Sequence, residues 1–215
     1  MTEKYVLTDT QEQILFEKNL SGIIYSAGKF ENLSTSLLQT EEIVEQGIVQ
    51  NVSAQDVEII LNTKHAFEYV TTTKTLSYDD ILHVNLLVRG ANSEDAGNIR
   101  HVNVKVAMTN EDYVPPILDS DTTKRQFATI VDSADSWTMK AINLMLVISK
   151  MQWFLDGNKR TGLIAANALL YQHNAGILTI PDSKFHWYMS YLKKYYATGN
   201  VSIKNWLYDN AIFGM

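Results

Sequence analysis

Between two strongly apolar stretches the chain places Gln152-Trp153-Phe154-Leu155-Asp156-Gly157-Asn158-Lys159-Arg160, a run that packing alone does not account for. The flanking stretches, Trp137 to Met151 and Lys159 to His173, read as helices. A loop that opens a buried helix presents unpaired backbone N–H groups and the positive end of the helix dipole. With Gly157 permitting close approach, the start of the second helix is a candidate anion nest suited to phosphate. Asn158, Lys159 and Arg160 add donors and positive charge. Asp156 beside them makes sense if a Mg²⁺ bridges its carboxylate to the phosphates. The same run also reads as an ordinary helix start, with Asp156 as the cap and Lys159 and Arg160 in solvent.

The elements that must position this run are mostly helical, since Pro and Gly are few and apolar periodicity is long-ranged. Ile14, Leu15, Leu20, Ile23, Ile24 and Ala27 trace one face of a helix from about Thr10 to Glu31. A short helix over Glu41 to Gln46 ends at Gly47, a plausible left-handed stop. Ser53 with Asp56, and Ser77 with Asp80, read as helix starts, the second helix stopping before Gly90. Then the period changes. Val102, Val104 and Val106 alternate, Thr109 to Asp112 is turn-like, and Pro115-Pro116 ends the pattern, so one exposed hairpin is expected as the only sheet. Helices are expected again over Asp121 to Val131, Ser183 to Ala197 and Ser202 to Ala211, with Ile177 to Pro181 as an extended link. Trp137 to Met151 is apolar nearly all round and should be the buried centre.

Composition narrows the function classes. The 215 residues carry a net charge of −6, which disfavours non-specific nucleic-acid binding. There is no cysteine, which excludes disulfides, thiolate metal sites and Cys nucleophiles. No apolar run approaches the about 18 residues of a spanning helix, and no secretory leader is legible, so a cytoplasmic protein is expected, with no membrane partner. His65, His83, His101, His173 and His186 show no metal-ligand spacing; His101, at the start of the expected hairpin, is open to a target contact. The aromatic residues Phe185, Trp187, Tyr188, Tyr191, Tyr195, Tyr196 and Trp206 read as core packing rather than base stacking.

Phe154-Leu155-Asp156-Gly157-Asn158-Lys159-Arg160-Thr161-Gly162 resembles the signature loop of the Fic (Fido) family, His-Pro-Phe-x-Asp/Glu-Gly-Asn-Gly/Lys-Arg. Ile99-Arg100 and Val102 to Val106, ending in Tyr113-Val114-Pro115-Pro116, are similar to that family's target-docking flap. The region of Lys29 to Ser34 resembles the N-terminal inhibitory helix of one class. The resemblance implies a mainly α, Fic-fold helical bundle with one small β-hairpin. Residues 1–50 would be the inhibitory-type segment and 51–215 the core. It implies transfer of AMP from ATP to a hydroxyl side chain of a target protein. By the same resemblance Asp156 would hold Mg²⁺, Gly157, Asn158 and neighbouring amides would cradle phosphates, and Arg160, with Lys159 beside it, would contact them. Glu31 would be the inhibitory glutamate, and Val102, Val104 and Val106 would align the target backbone by strand addition.

The sequence departs from the family pattern at the chemistry itself. Gln152 stands where the family has its catalytic His, and a neutral amide cannot take a proton. Trp153 replaces Pro, and Leu163 replaces the second motif Arg, the usual partner of the inhibitory Glu. The pair made by Glu31 is therefore expected to be absent or rebuilt on another cation. The function expected is a Fic-type AMP transferase scaffold whose activity is weakened or lost. The alternatives are a catalytically silent nucleotide-binding or protein-interaction relative, or an engineered inactive variant. Nucleotide and target protein are the expected partners, and a homo-oligomer is left open.

Overall fold

The computed structural model describes residues 1–90, 92–108 and 111–215. Among them nine α-helices follow one another: α1 Asp9–Gly28, α2 Leu37–Gln46, α3 Ala54–Thr72, α4 Tyr78–Arg89, α5 Ser120–Val131, α6 Trp137–Met151, α7 Asn158–Gln172, α8 Phe185–Thr198 and α9 Ser202–Ala211. Serine, threonine and aspartate caps set the starts of the first six. Thr8 with Gln11, Ser36 with Gln39 and Ser77 with Asp80 form reciprocal capping boxes. The Ser36 box starts α2 at Leu37, a turn earlier than the Glu41 read from periodicity, and Gly47 ends it in the left-handed region at φ 77°.

Helix α6 is the buried centre that its all-round apolarity predicts. Ala141, Ile142, Leu144, Met145, Leu146 and Ile148 are fully inaccessible. Its largest interface is with α7, which is just as thoroughly buried. Gly162 brings the two backbones together: a Cβ there would lie 2.9 Å from the carbonyl oxygen of Met145. Helices α3 and α4 pack on each other and on α7, and α1 lies against α2, α3 and α7. A single apolar core runs from Leu15 on α1 to Ile212.

The strand expectation is corrected. Among the described residues of the segment 101–113, only Val106 and Tyr113 pair, by N–H···O bonds of 2.8 and 3.0 Å, so the hairpin there is reduced to one antiparallel bridge. Val102 and Val104 lie outside any ladder, and Val102 is 44% exposed, so its side chain has no core to pack on. Thr109 and Asn110 of the expected turn lie outside the described residues. The two-stranded sheet forms instead between β1 (Ile177–Leu178), part of the expected extended link, and β2 (Ile212–Phe213), in the register Ile177 to Phe213 and Leu178 to Ile212. Gly176, at φ 89°, permits this approach, because a Cβ there would fall 2.2 Å from the carbonyl oxygen of Phe213.

One buried acid fixes α1 to that corner. Glu12 is 1% exposed; one oxygen accepts the N–H of Gly176 at 2.9 Å and the other has no partner among the described residues. Burial pushes its pKa up to about 7. A carboxyl raised on folding contributes stability that is complete below its ordinary value and is lost as pH rises through the raised one. Unfolding free energy should therefore fall by about 2 kcal/mol between about pH 5 and about pH 8. Urea titrations of the parent and of Glu12→Gln should diverge across that window, and parallel curves would show that Glu12 does not titrate there.

Candidate functional site

Helix α6 ends at Met151, and Gln152 reverses the chain in the left-handed conformation, at φ 48°. Its side chain is fully engaged: Nε2 donates to the carbonyl of Ser149, and Oε1 accepts from Asn158 Nδ2 at 3.1 Å. Trp153 and Phe154 then turn into the core, both 0% exposed, and the indole N–H donates to Gln126 Oε1 at 2.9 Å. Asn158 closes the turn. Its Oδ1 accepts the N–H of Phe154 at 2.9 Å and its Nδ2 donates to the carbonyl of the same residue at 2.8 Å. The Asn158 side chain, expected at the phosphates, is thus used within the loop.

Gly157 begins α7 at φ 77° with no side-chain cap. A Cβ there would meet Asn85 Nδ2 and Val88 Cγ1, each at 3.2 Å. The amides of Asn158, Lys159 and Arg160, in the first turn of α7, have no acceptor within the helix. Asn85 on α4, 1% exposed, holds this start in place by donating to the carbonyl of Asp156 at 3.0 Å and to Thr161 Oγ1 at 3.1 Å.

The charged residues are paired across elements. Arg160, 3% exposed, donates through Nε to Glu31 Oε1 at 2.7 Å and through Nη1 to the carbonyl of Val88 at 3.1 Å. Leu163 is wholly buried in the core and offers no charge. Glu31 therefore meets Arg160 and not position 163. Glu31 is delivered there by a single 3₁₀ turn, Lys29–Glu31, that continues α1 and stops at Asn32 in the left-handed region. Phe30, packed on Phe185 and Tyr188, and the Lys29–Asp182 pair at 3.3 Å fix that turn. Asp156 is half-exposed: Oδ1 accepts the N–H of Gly157 at 2.6 Å, and Oδ2 is paired with Arg89 Nη1. The same guanidinium reaches Asp95 Oδ1 at 3.4 Å. Lys159 makes no ion pair among the described residues.

Arg100 joins the flap segment to the loop. It is 3% exposed and has no acidic partner among the described residues. It donates to the carbonyls of Met151, Gln152, Val102 and Pro116, and its N–H donates to the carbonyl of Trp153 at 2.9 Å. The free carbonyls at the end of α6 thus receive a cation, where the helix dipole favours one. Burial draws the Arg100 pKa down from its usual range.

Comparison with known proteins agrees with this architecture. The model of the Fic/DOC family matches residues 75–170, which include α4, α6, the loop and most of α7. Three solved structures superimpose on nearly the whole chain. Fic-1 (residues 134–508) from C. elegans gives a TM-score of 0.77 at 16% identity, over 96% of this chain and 64% of that one. A Fic domain containing signaling protein from Bacteroides thetaiotaomicron gives 0.75 at 16% identity, over 94% of this chain and 87% of that one. A Fic family protein from Desulfovibrio desulfuricans gives 0.70 at 14% identity, over 90% of this chain and 63% of that one. The fold is the Fic fold. The chain thus spans less than two thirds of the C. elegans structure it matches, and no curated protein matches the sequence.

Within this Fic fold the structure brings together Gln152, Asp156, Gly157, Asn158, Arg160 and Glu31. Val102, Val104 and Val106 lie on the segment that Arg100 ties to the same loop. The residues around Asp156 do not suit a Mg²⁺. The Arg89 guanidinium sits on Asp156 Oδ2 and reaches the nearby Asp95, and its charge would repel a dication there. Among the described residues no group of three or more His, Asp or Glu could enclose a metal ion. Three of the residues that build the site were not singled out by spacing. Asn85 sits on the apolar face of α4 with Ile81, Val84 and Val88, which was its legible signal. Arg89 is the cation of α4's last turn, and Arg100 is a lone cation beside the flap.

Asn158→Ala should be costly without touching the hydrophobic core. It strands a buried N–H and a buried C=O of Phe154, so a loss of about 2–4 kcal/mol is expected in chemical denaturation, with faster amide exchange at Phe154. A loss below about 1 kcal/mol would show that the turn holds its shape without this side chain.

Proposed function

We propose that this chain is a Fic-type nucleotide-binding protein whose scaffold is that of an AMP transferase acting on a hydroxyl side chain of a target protein, held nearly silent at two points. The observation that carries this reading is the uncapped start of α7, with Gly157 in the left-handed region and the buried guanidinium of Arg160 at the same turn, covered by Glu31. Free amides and a guanidinium together suit the phosphates of ATP. The half-exposed Lys159 would add charge at the rim.

In the transfer, the acceptor oxygen forms a bond to the α-phosphorus, the bond from that phosphorus to the bridging oxygen breaks, and pyrophosphate leaves. The acceptor's proton must pass to a base. Gln152 has no basic atom, and both ends of its amide are engaged in the loop. The acceptor segment would lie along the flap, where Val102 is exposed, and add to the backbone near Val106 and Tyr113. The engaged Gln152 and the apolar, buried Leu163 equally support a second reading, a silent nucleotide-binding relative.

Two substitutions separate these readings. Glu31→Gly frees Arg160 and should tighten ATP more than about tenfold by calorimetry. Unchanged affinity would mean that Glu31 does not obstruct the site. Gln152→His supplies a group able to accept the proton. In the Glu31→Gly background it should raise transfer of labelled AMP to protein by about 10²–10⁴-fold. Nucleotide binding without any transfer would favour the silent relative.

A further inference from the structure

We propose that Arg89 takes the place of a divalent cation on Asp156, so that the loop binds nucleotide phosphates without a metal. The inference rests on the phosphate-site reading of the α7 start. A Mg²⁺ on Asp156 would have to displace or share the carboxylate with any cation already seated on it. Here Asp156 gives Oδ1 to the N–H of Gly157 at 2.6 Å and Oδ2 to Arg89 Nη1. The second acid within reach, Asp95, is held by Nη2 of the same side chain at 3.4 Å. One guanidinium therefore neutralises both carboxylates that a metal could use.

The position of Arg89 is built into the fold. It is the last residue of α4, one residue beyond Val88, whose carbonyl receives Arg160. Its Cδ lies 3.5 Å from where a Gly157 Cβ would stand, so its stem packs on the backbone that opens α7. Each terminal nitrogen of its guanidinium carries a second N–H beyond the one given to Asp156 or Asp95. A phosphate oxygen could accept from these, and the planar donor fork of arginine suits phosphate where a Mg²⁺ would demand octahedral ligands. The guanidinium would then do for the phosphates what the metal would do, carrying positive charge between Asp156 and the nucleotide.

The test is calorimetric titration of ADP and of ATP into the full chain and into Glu31→Gly, each in EDTA and in excess Mg²⁺. The dissociation constants should agree within about threefold between the two conditions. Arg89→Gln should lose at least about tenfold in EDTA and regain part of it with Mg²⁺, because Asp156 is then open to the metal. Circular dichroism would report whether that variant folds, and the comparison on the parent chain decides without it. Binding only with Mg²⁺ would overturn the assignment of Arg89 and leave the phosphate site standing. An Arg89→Gln chain that binds as tightly in EDTA as its parent would overturn it too. No binding in either condition would overturn both the assignment and the phosphate site.

Discussion

The carboxamide of Asn158 closes the turn from Gln152 to Gly157 by taking both the N–H and the C=O of Phe154 at a position 4% exposed to solvent. Water does not readily replace it there, and an unmatched backbone pair in the interior is costly. With that pair satisfied, Trp153 and Phe154 can enter the core, and α6 and α7 are joined by a turn of one shape. Gly157 then meets α4 so closely that a side chain would crowd Asn85 and Val88. The free amides of the α7 start, the Asp156 carboxylate and the Arg160 guanidinium all take their positions from this closure.

Charge is the second constraint. Buried charges are tolerated only with partners, and the site meets that condition by reaching across the fold. Buried Arg160 on α7 is matched by Glu31 from the end of α1, while the half-exposed Asp156 is paired with Arg89 from the end of α4. Arg100 has no acid among the described residues and is instead surrounded by carbonyls, two of them at the free end of α6. The pairing explains why the first helix is part of the site rather than an appendage. Leu163, one turn along α7 from Arg160, belongs to the core and offers Glu31 no charge.

The flap and the sheet show where local pattern misleads. Val102, Val104 and Val106 alternate as a strand should, but alternation stabilises a strand only when one face meets a core or a partner. Here the segment is drawn to the α6 end by Arg100 and limited by Pro115 and Pro116, which leaves one bridge. The short link after Gly176 had no strand pattern of its own. It became a strand because the chain end after α9 runs past it.

Taken alone, the sequence determined the helices and marked out the loop before α7. Serine and aspartate caps, the left-handed glycines at 47 and 157, and the all-round apolarity of 137–151 are local properties. They act within a turn or two of the residue that bears them. The Asp156 to Arg160 run stood out for the same reason, since its residue types make no sense as packing. Tertiary structure decided which donor meets which acceptor. Glu31 and Arg160 are 129 residues apart, Arg89 and Asp156 are 67 apart, and Gln152 is bound to Asn158 only because the turn closes. Spacing along a chain does not encode such pairs. They depend on the angles at which α1 and α4 cross α7, and the summed packing of the core sets those angles.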